Sequence, residues 1–356
     1  MRIPALFLLL FLDLVCGCGV PGAPQAPTLG IPNPAGNLQA VRKGPVVSVS
    51  WDVPTETTDG ELIRKPGRMV VSRSAAPGSE FRNIREITLP PALQDTRPTR
   101  ASMTDDISTL LEDPATGDFI SYHVVTISSA GRAGGASDNV SVPAVITAAP
   151  PRAVSLALGP QGVTVSFEVP WPQPKPTRLG GEIVYRVMRK QDGAAEAVSA
   201  AQLRPESGAT VFVDSAIEWE KTYQYWVTPV TLWHSASVSG EVEGEDSPIA
   251  SIVAHDTFPP ATPSGLQAVF SGLPQRPFID LTWAPNTDQD LAGYNVYRRT
   301  EGGVPAKLNT GLLKTPAFHD GSVEAGVKYI YSVAAVDVRG NESSRSEEAS
   351  ELVPKD

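Results

Sequence analysis

Ser50-Trp51-Asp52-Val53-Pro54, Ser166-Phe167-Glu168-Val169-Pro170 and Thr282-Trp283-Ala284-Pro285 are three versions of one stretch. Their aromatic positions, 51, 167 and 283, are evenly spaced along the chain. Each aromatic closes an alternating apolar run: Val47, Val49, Trp51; Val163, Val165, Phe167; Ile279, Leu281, Trp283. A period of two over five or more residues is the mark of a strand with one buried face. Downstream of each lies a second strand ending in arginine, at Val70–Arg73, Tyr185–Arg189 and Tyr294–Arg298. A longer alternating strand follows at Ile120–Val124, Tyr223–Val227 and Tyr329–Val333. Short strands separated by turn residues, three times over, imply an all-β chain of three tandem sandwiches.

Composition agrees. The 356 residues contain 34 prolines and 30 glycines, which excludes long helices and coiled coils. Apolar residues at 41% are enough for real cores. The net charge of −10, with no basic tract, argues against a nucleic-acid partner. Two cysteines exclude a disulfide framework and a Cys-rich metal site.

Each copy resembles a fibronectin type III domain, with an aromatic on the second strand, a Tyr-x-Val strand and a Tyr-x-Tyr-x-Val strand. The third copy is the nearest match, through Asp288-Gln289-Asp290-Leu291-Ala292-Gly293-Tyr294 and Ala335-Val336-Asp337. The resemblance implies immunoglobulin-like sandwiches with core aromatics Trp51, Phe167 and Trp283. It also makes Tyr223 and Tyr329 corner tyrosines whose hydroxyls bond upstream backbone. The first copy has Ile120 at that place, so no corner is expected there. Proline clusters at Pro150-Pro151 and Pro259-Pro260 set the expected joints. The expected domains are residues 35–148, 149–258 and 259–356, joined by short, semi-rigid linkers.

The N-terminus reads as an address. Met1 and Arg2 precede an apolar run, Ile3 to Leu12, too short for the roughly 20 residues that span a bilayer. Val15-Cys16-Gly17-Cys18 resembles a bacterial lipobox. That resemblance implies cleavage after Gly17, a signal peptide over 1–17, and a lipid on Cys18. Residues 18–34, rich in Pro, Gly and Ala, would form the tether. The implied location is the cell membrane or outer membrane, and Gly19 in place of Asp points to the latter.

Catalytic signatures are absent: the sequence has no Gly-x-Ser-x-Gly, His-Glu-x-x-His or phosphate loop. The four histidines are scattered, and His123 should lie on an outer face. Glu218-Trp219-Glu220 reads as a strand with both carboxylates on one face, without an acid/base arrangement. Asp288 and Asp290 could serve calcium, but their run lacks the Gly and terminal Glu of an EF-hand loop, and turn chemistry explains them. No cofactor and no metal set is therefore expected. Arg339-Gly340-Asn341 reads as a tight turn.

The second copy holds Trp171, Trp219, Trp226 and Trp233, four of the six tryptophans. If Tyr223, Tyr225 and Val227 face the core, Trp226 faces out, and Met188 on the neighbouring strand should flank it. With Trp171 they form the candidate binding surface, for an envelope protein or a glycan. The expected function is a lipid-anchored spacer and interaction module without catalysis. The alternative is a carbohydrate-binding or enzyme-accessory protein using the second copy's aromatics.

Overall fold

A computed structural model describes residues 29–63, 67–88, 99–173, 179, 181–272 and 276–355. Gly17, Cys18 and most of the expected tether lie outside the described residues. The chain divides into two compact units between Val145 and Ile146.

The first unit contains β1 (Gly36–Lys43), β2 (Val46–Asp52), β3 (Arg68–Ser74), β4 (Arg82–Thr88), β5 (Arg100–Asp106), α1 (Ser108–Glu112), β6 (Phe119–Ile127), β7 (Ala133–Ala136) and β8 (Val140–Pro143). All its pairings are antiparallel: β1-β2-β5 in one sheet, and β4-β3-β6 in the other with β7 and β8 both on β6. Between them Val47, Val49, Trp51, Met69, Val71, Tyr122 and Val124 are wholly buried. The Trp51 indole donates to the Met69 sulfur at 3.1 Å, which satisfies the one polar group this ring brings into the core. The short helix α1, which strand periodicity did not anticipate, buries Leu111 against the same core.

The second unit holds two sandwiches. Its first comprises β9 (Arg152–Gly159), β10 (Gly162–Glu168), β11 (Gly181–Gln191), β12 (Val198–Leu203), β13 (Ala209–Asp214), β14 (Thr222–His234), β15 (Ser239–Glu243) and β16 (Ala250–Val253). Here β9-β10-β13 face β12-β11-β14, and β15 and β16 both pair with β14. The next comprises β17 (Gln267–Ser271), β18 (Phe278–Thr282), β19 (Leu291–Thr300), β20 (Ala306–Lys307), β21 (Ala317–Asp320), β22 (Lys328–Asp337) and β23 (Ala349–Leu352). It sets β17-β18-β21 against β20-β19-β22-β23. Phe167 and Trp283 are buried in the two separate cores. Trp283 meets Tyr294 edge-to-face at 5.2 Å between centroids.

Both corner tyrosines make their backbone bonds. Tyr223 Oη accepts from Glu218 N at 2.8 Å, and Tyr329 Oη accepts from Glu324 N at 3.1 Å. Ile120 in the first sandwich is simply buried.

A second device recurs in all three sandwiches. The arginine that ends the second motif strand meets an aspartate from the opposite sheet, and a tyrosine completes the set. Arg73 Nη1 and Tyr122 Oη donate to Asp105 Oδ2 at 2.7 and 2.8 Å. Arg189 and Tyr225 do the same to Asp214 at 2.8 and 2.9 Å. Arg298 and Tyr331 do so to Asp320 at 2.7 and 2.8 Å. Each set bridges the two sheets of its sandwich. Burial, then the facing carboxylate, pushes all three phenols well above the usual tyrosine range. Burial alone would raise Asp320, but hydrogen bonds from Ser322, Tyr331 and Arg298 outweigh it and hold the carboxyl low. A buried acid supplied with this many donors is a fastener rather than a reactive group.

Candidate binding face of the second sandwich

Strands β11 and β14 pair over their full contact, and their alternation sorts side chains cleanly. Tyr185, Val187, Tyr223, Tyr225 and Val227 point into the core. The intervening positions Arg186, Met188, Lys190, Gln224 and Trp226 therefore stand on the outer face. Met188 lies directly opposite Trp226 in register. Both are half-buried rather than fully exposed. The face is bordered by charge: Arg186 binds Glu241 and Glu243 of β15, each at 3.0 Å. Thr228 donates to Asp246 at 2.6 Å.

The other aromatics go elsewhere. Trp171 is 54% exposed, but it follows β10 in the opposite sheet, where its Cβ adjoins Gly208. Met188 and Trp226 pair seven positions from Gly181 and Trp233, where β11 begins after the loop that carries Trp171. Trp219 packs against Phe258 at 5.9 Å. Trp233 is nearly buried, seated on Gly240, where an added Cβ would lie 2.8 Å from the indole.

The remaining candidates resolve into structural contacts. Glu218-Trp219-Glu220 is a turn rather than a strand, and Glu220 has a left-handed φ of 63°. Its alternation therefore never applied. Glu218 gives its backbone to the Tyr223 corner, whereas the Glu220 carboxylate accepts from Asp256 N at 3.1 Å and pairs with His255 at 2.7 Å. His123 stacks on Phe81 at 4.1 Å, and partial burial lowers its affinity for a proton. His319 pairs with Asp280 at 2.8 Å. Tyr185 is pushed up to about 12 by burial.

Asp288 and Asp290 separate in role. Asp288 shapes the turn, accepting from Ala261 N and Asn286 Nδ2, each at 3.1 Å. Asp290 turns away to meet Asp256 and Asp337, one carboxylate oxygen from each lying within 4.8 Å of the others. Sequence reading missed Asp256 and Asp337 as companions because they belong to distant segments. Arg339-Gly340-Asn341 is a turn, with Gly340 at φ 90° and Asn341 Nδ2 donating to Asp337 at 2.8 Å.

Two facing antiparallel sheets, a buried aromatic on the second strand and tyrosine corners in two copies define the fold. These are fibronectin type III-like sandwiches. No protein-family model matches the chain. An amylopullulanase of Thermoanaerobacterium thermosulfurigenes is 39% identical over 72 residues, 20% of this chain and 4% of its own. Exoglucanase B of Cellulomonas fimi is 28% identical over 148 residues, 40% of this chain and 12% of its own. An alpha-amylase of Niallia circulans is 31% identical over 123 residues, 34% of this chain and 9% of its own. The chain thus spans only a small part of these relatives. Among solved structures, the FN1–FN3 domains of chicken CNTN1 align with 91% of this chain and all of theirs, at 14% identity and a TM-score of 0.26. An Fn3-like protein from Clostridium thermocellum aligns with 27% of this chain and 95% of its own, at 34% identity and a TM-score of 0.23. Among the described residues, no helix is long and apolar enough to cross a membrane.

Proposed function

We propose that the chain is a lipid-anchored spacer and interaction array of the cell envelope, without catalysis, held to the cell membrane or outer membrane through Cys18. The observation that carries this reading is the threefold repetition of a sandwich fastened across its sheets by an Arg–Asp–Tyr set. Three such modules in tandem, each held together across its own sheets, suit a spacing and interaction role. The Val15-to-Cys18 motif supplies the anchor. Replacing Cys18 by Ser should abolish fatty-acid labelling and move the protein to the soluble fraction. Equal membrane partitioning of the variant refutes the anchor.

The second reading is a carbohydrate-binding or accessory role, favoured by the Trp226–Met188 pair and by relatives named as polysaccharide-degrading enzymes. A flat half-exposed indole is suited to stacking on a sugar ring. A glycan array probed with the lipid-free chain distinguishes the two. Hits that disappear in Trp226→Ala, with the melting of the second sandwich nearly unchanged, favour the glycan. A blank array, or hits that Trp226→Ala leaves in place, removes the Trp226 role.

A further inference from the structure

The second and third sandwiches belong to one compact unit, and the chain between them brings three acids together. Asp256 follows β16, Asp290 precedes β19 and Asp337 ends β22. The side chains of Asp256 and Asp337 are buried, and that of Asp290 is half-buried. Asp337 is fixed by its own turn: its Oδ1 accepts from Arg339 N at 2.8 Å and Asn341 N at 2.9 Å, and its Oδ2 from Asn341 Nδ2 at 2.8 Å.

Two further observations set this cluster apart from an ordinary acidic turn. Asp256, 3% exposed, keeps an Oδ2 that takes no hydrogen bond. Its nearest cation, Arg339 Nη1, is 3.2 Å away but outside hydrogen-bond alignment. Among the described residues, the Asp290 carboxylate takes neither a hydrogen bond nor an ion pair. The one guanidinium present is also shared, since Arg339 Nε lies 3.6 Å from Glu220, which itself holds His255. Phe258 N donates to Asp256 Oδ1 at 3.1 Å, and the donors to Asp337 are likewise neutral, so three carboxylates against part of one guanidinium leave the site net negative and partly out of water.

A hard divalent cation would offset it. Calcium binds oxygens at 2.3–2.6 Å, so any two oxygens in its shell stand no more than about 5 Å apart. The three acids, within 4.8 Å, fit one shell. Calcium also tolerates the irregular geometry that three separate segments provide, and completes six to eight ligands with water, whereas magnesium demands a near-ideal octahedron. We propose that Asp256, Asp290 and Asp337 bind one calcium ion at the joint of the second and third sandwiches. The ion ties the segment after β16 to two loops of the next module and so sets their relative orientation. Arg339 then acts as the competing internal cation.

The test uses the full chain, treated with chelator and titrated with CaCl2 by calorimetry. One binding event is expected. Asp290→Asn should weaken it at least tenfold, and Arg339→Gln should tighten it about threefold or more. In chelator, Asp290→Asn should melt no lower than the parent, so lost binding is not lost folding. The absence of binding at millimolar calcium overturns the proposal. So does binding that both substitutions leave unchanged, which would place the ion elsewhere. Equal affinity for MgCl2 overturns the assignment to calcium.

Discussion

Buried aspartates occur in two settings here, and they differ in how completely they are satisfied. Asp320 accepts from Arg298, Tyr331, Ser322 N and Ser322 Oγ. Asp256, equally buried, retains an oxygen with no hydrogen bond, and it faces two more carboxylates. The first acid joins two sheets of one sandwich; the second stands where two sandwiches meet. Burial alone therefore does not mark a site. What separates them is how far the chain itself provides the partners, and at the joint it does so only in part: Asp256 Oδ1 accepts from Phe258 N, while Oδ2 has only the Arg339 charge.

The largest effect that tests this contrast is loss of the fastener. Asp320→Ala strips Arg298 of its carboxylate, leaving it only Ser322, and leaves the buried Tyr331 hydroxyl unpaired, and should destabilise the third sandwich by about 3 kcal/mol, the low end for breaking a buried pair. Thermal unfolding would show one transition falling while those of the other cores hold. If all transitions move together, the fasteners do not act within single modules.

Acid gives a smaller, graded effect. The carboxyls of Asp320 and Asp337 are held below their ordinary value of 3.8, so the native state binds fewer protons there than the unfolded chain. Their contribution is complete above about pH 4 and is lost as pH falls through the lower native values. Asp320→Ala should flatten the acid limb of the third transition. An unchanged limb would mean that this carboxyl is not held low.

Smallest is Asp290→Asn in chelator. Removing a charge from a fastener destabilises, but removing one from the joint relieves repulsion, so stability should rise by a few tenths of a kcal/mol. A clear loss of stability would show that Asp290 is a structural acid like Asp320.

The sandwiches were legible because a strand with one buried face writes its period directly into sequence, as Val163, Val165 and Phe167 do. Trp226 and Met188 followed from the same alternation. The fasteners were half visible: Arg73, Arg189 and Arg298 stood out as strand ends. Their acids lie 32, 25 and 22 residues further on, an interval that loop lengths vary freely. The joint was least legible. Asp288 and Asp290 look like a pair, yet the fold sends one to its own turn and the other to Asp256 and Asp337. Helix α1 escaped because one turn of helix is too short to show a period.

The fasteners also bear on how a module yields to force. In the third sandwich they join β19, β21 and β22, whereas the chain ends leave through β17 and β23. Tension applied along the chain reaches those outer strands first. They can peel while the three fastened strands stay riveted, and extension traces under load should show a shortened intermediate before full rupture. A module that gives way in stages absorbs a sudden pull and keeps the template on which its lost strands re-form.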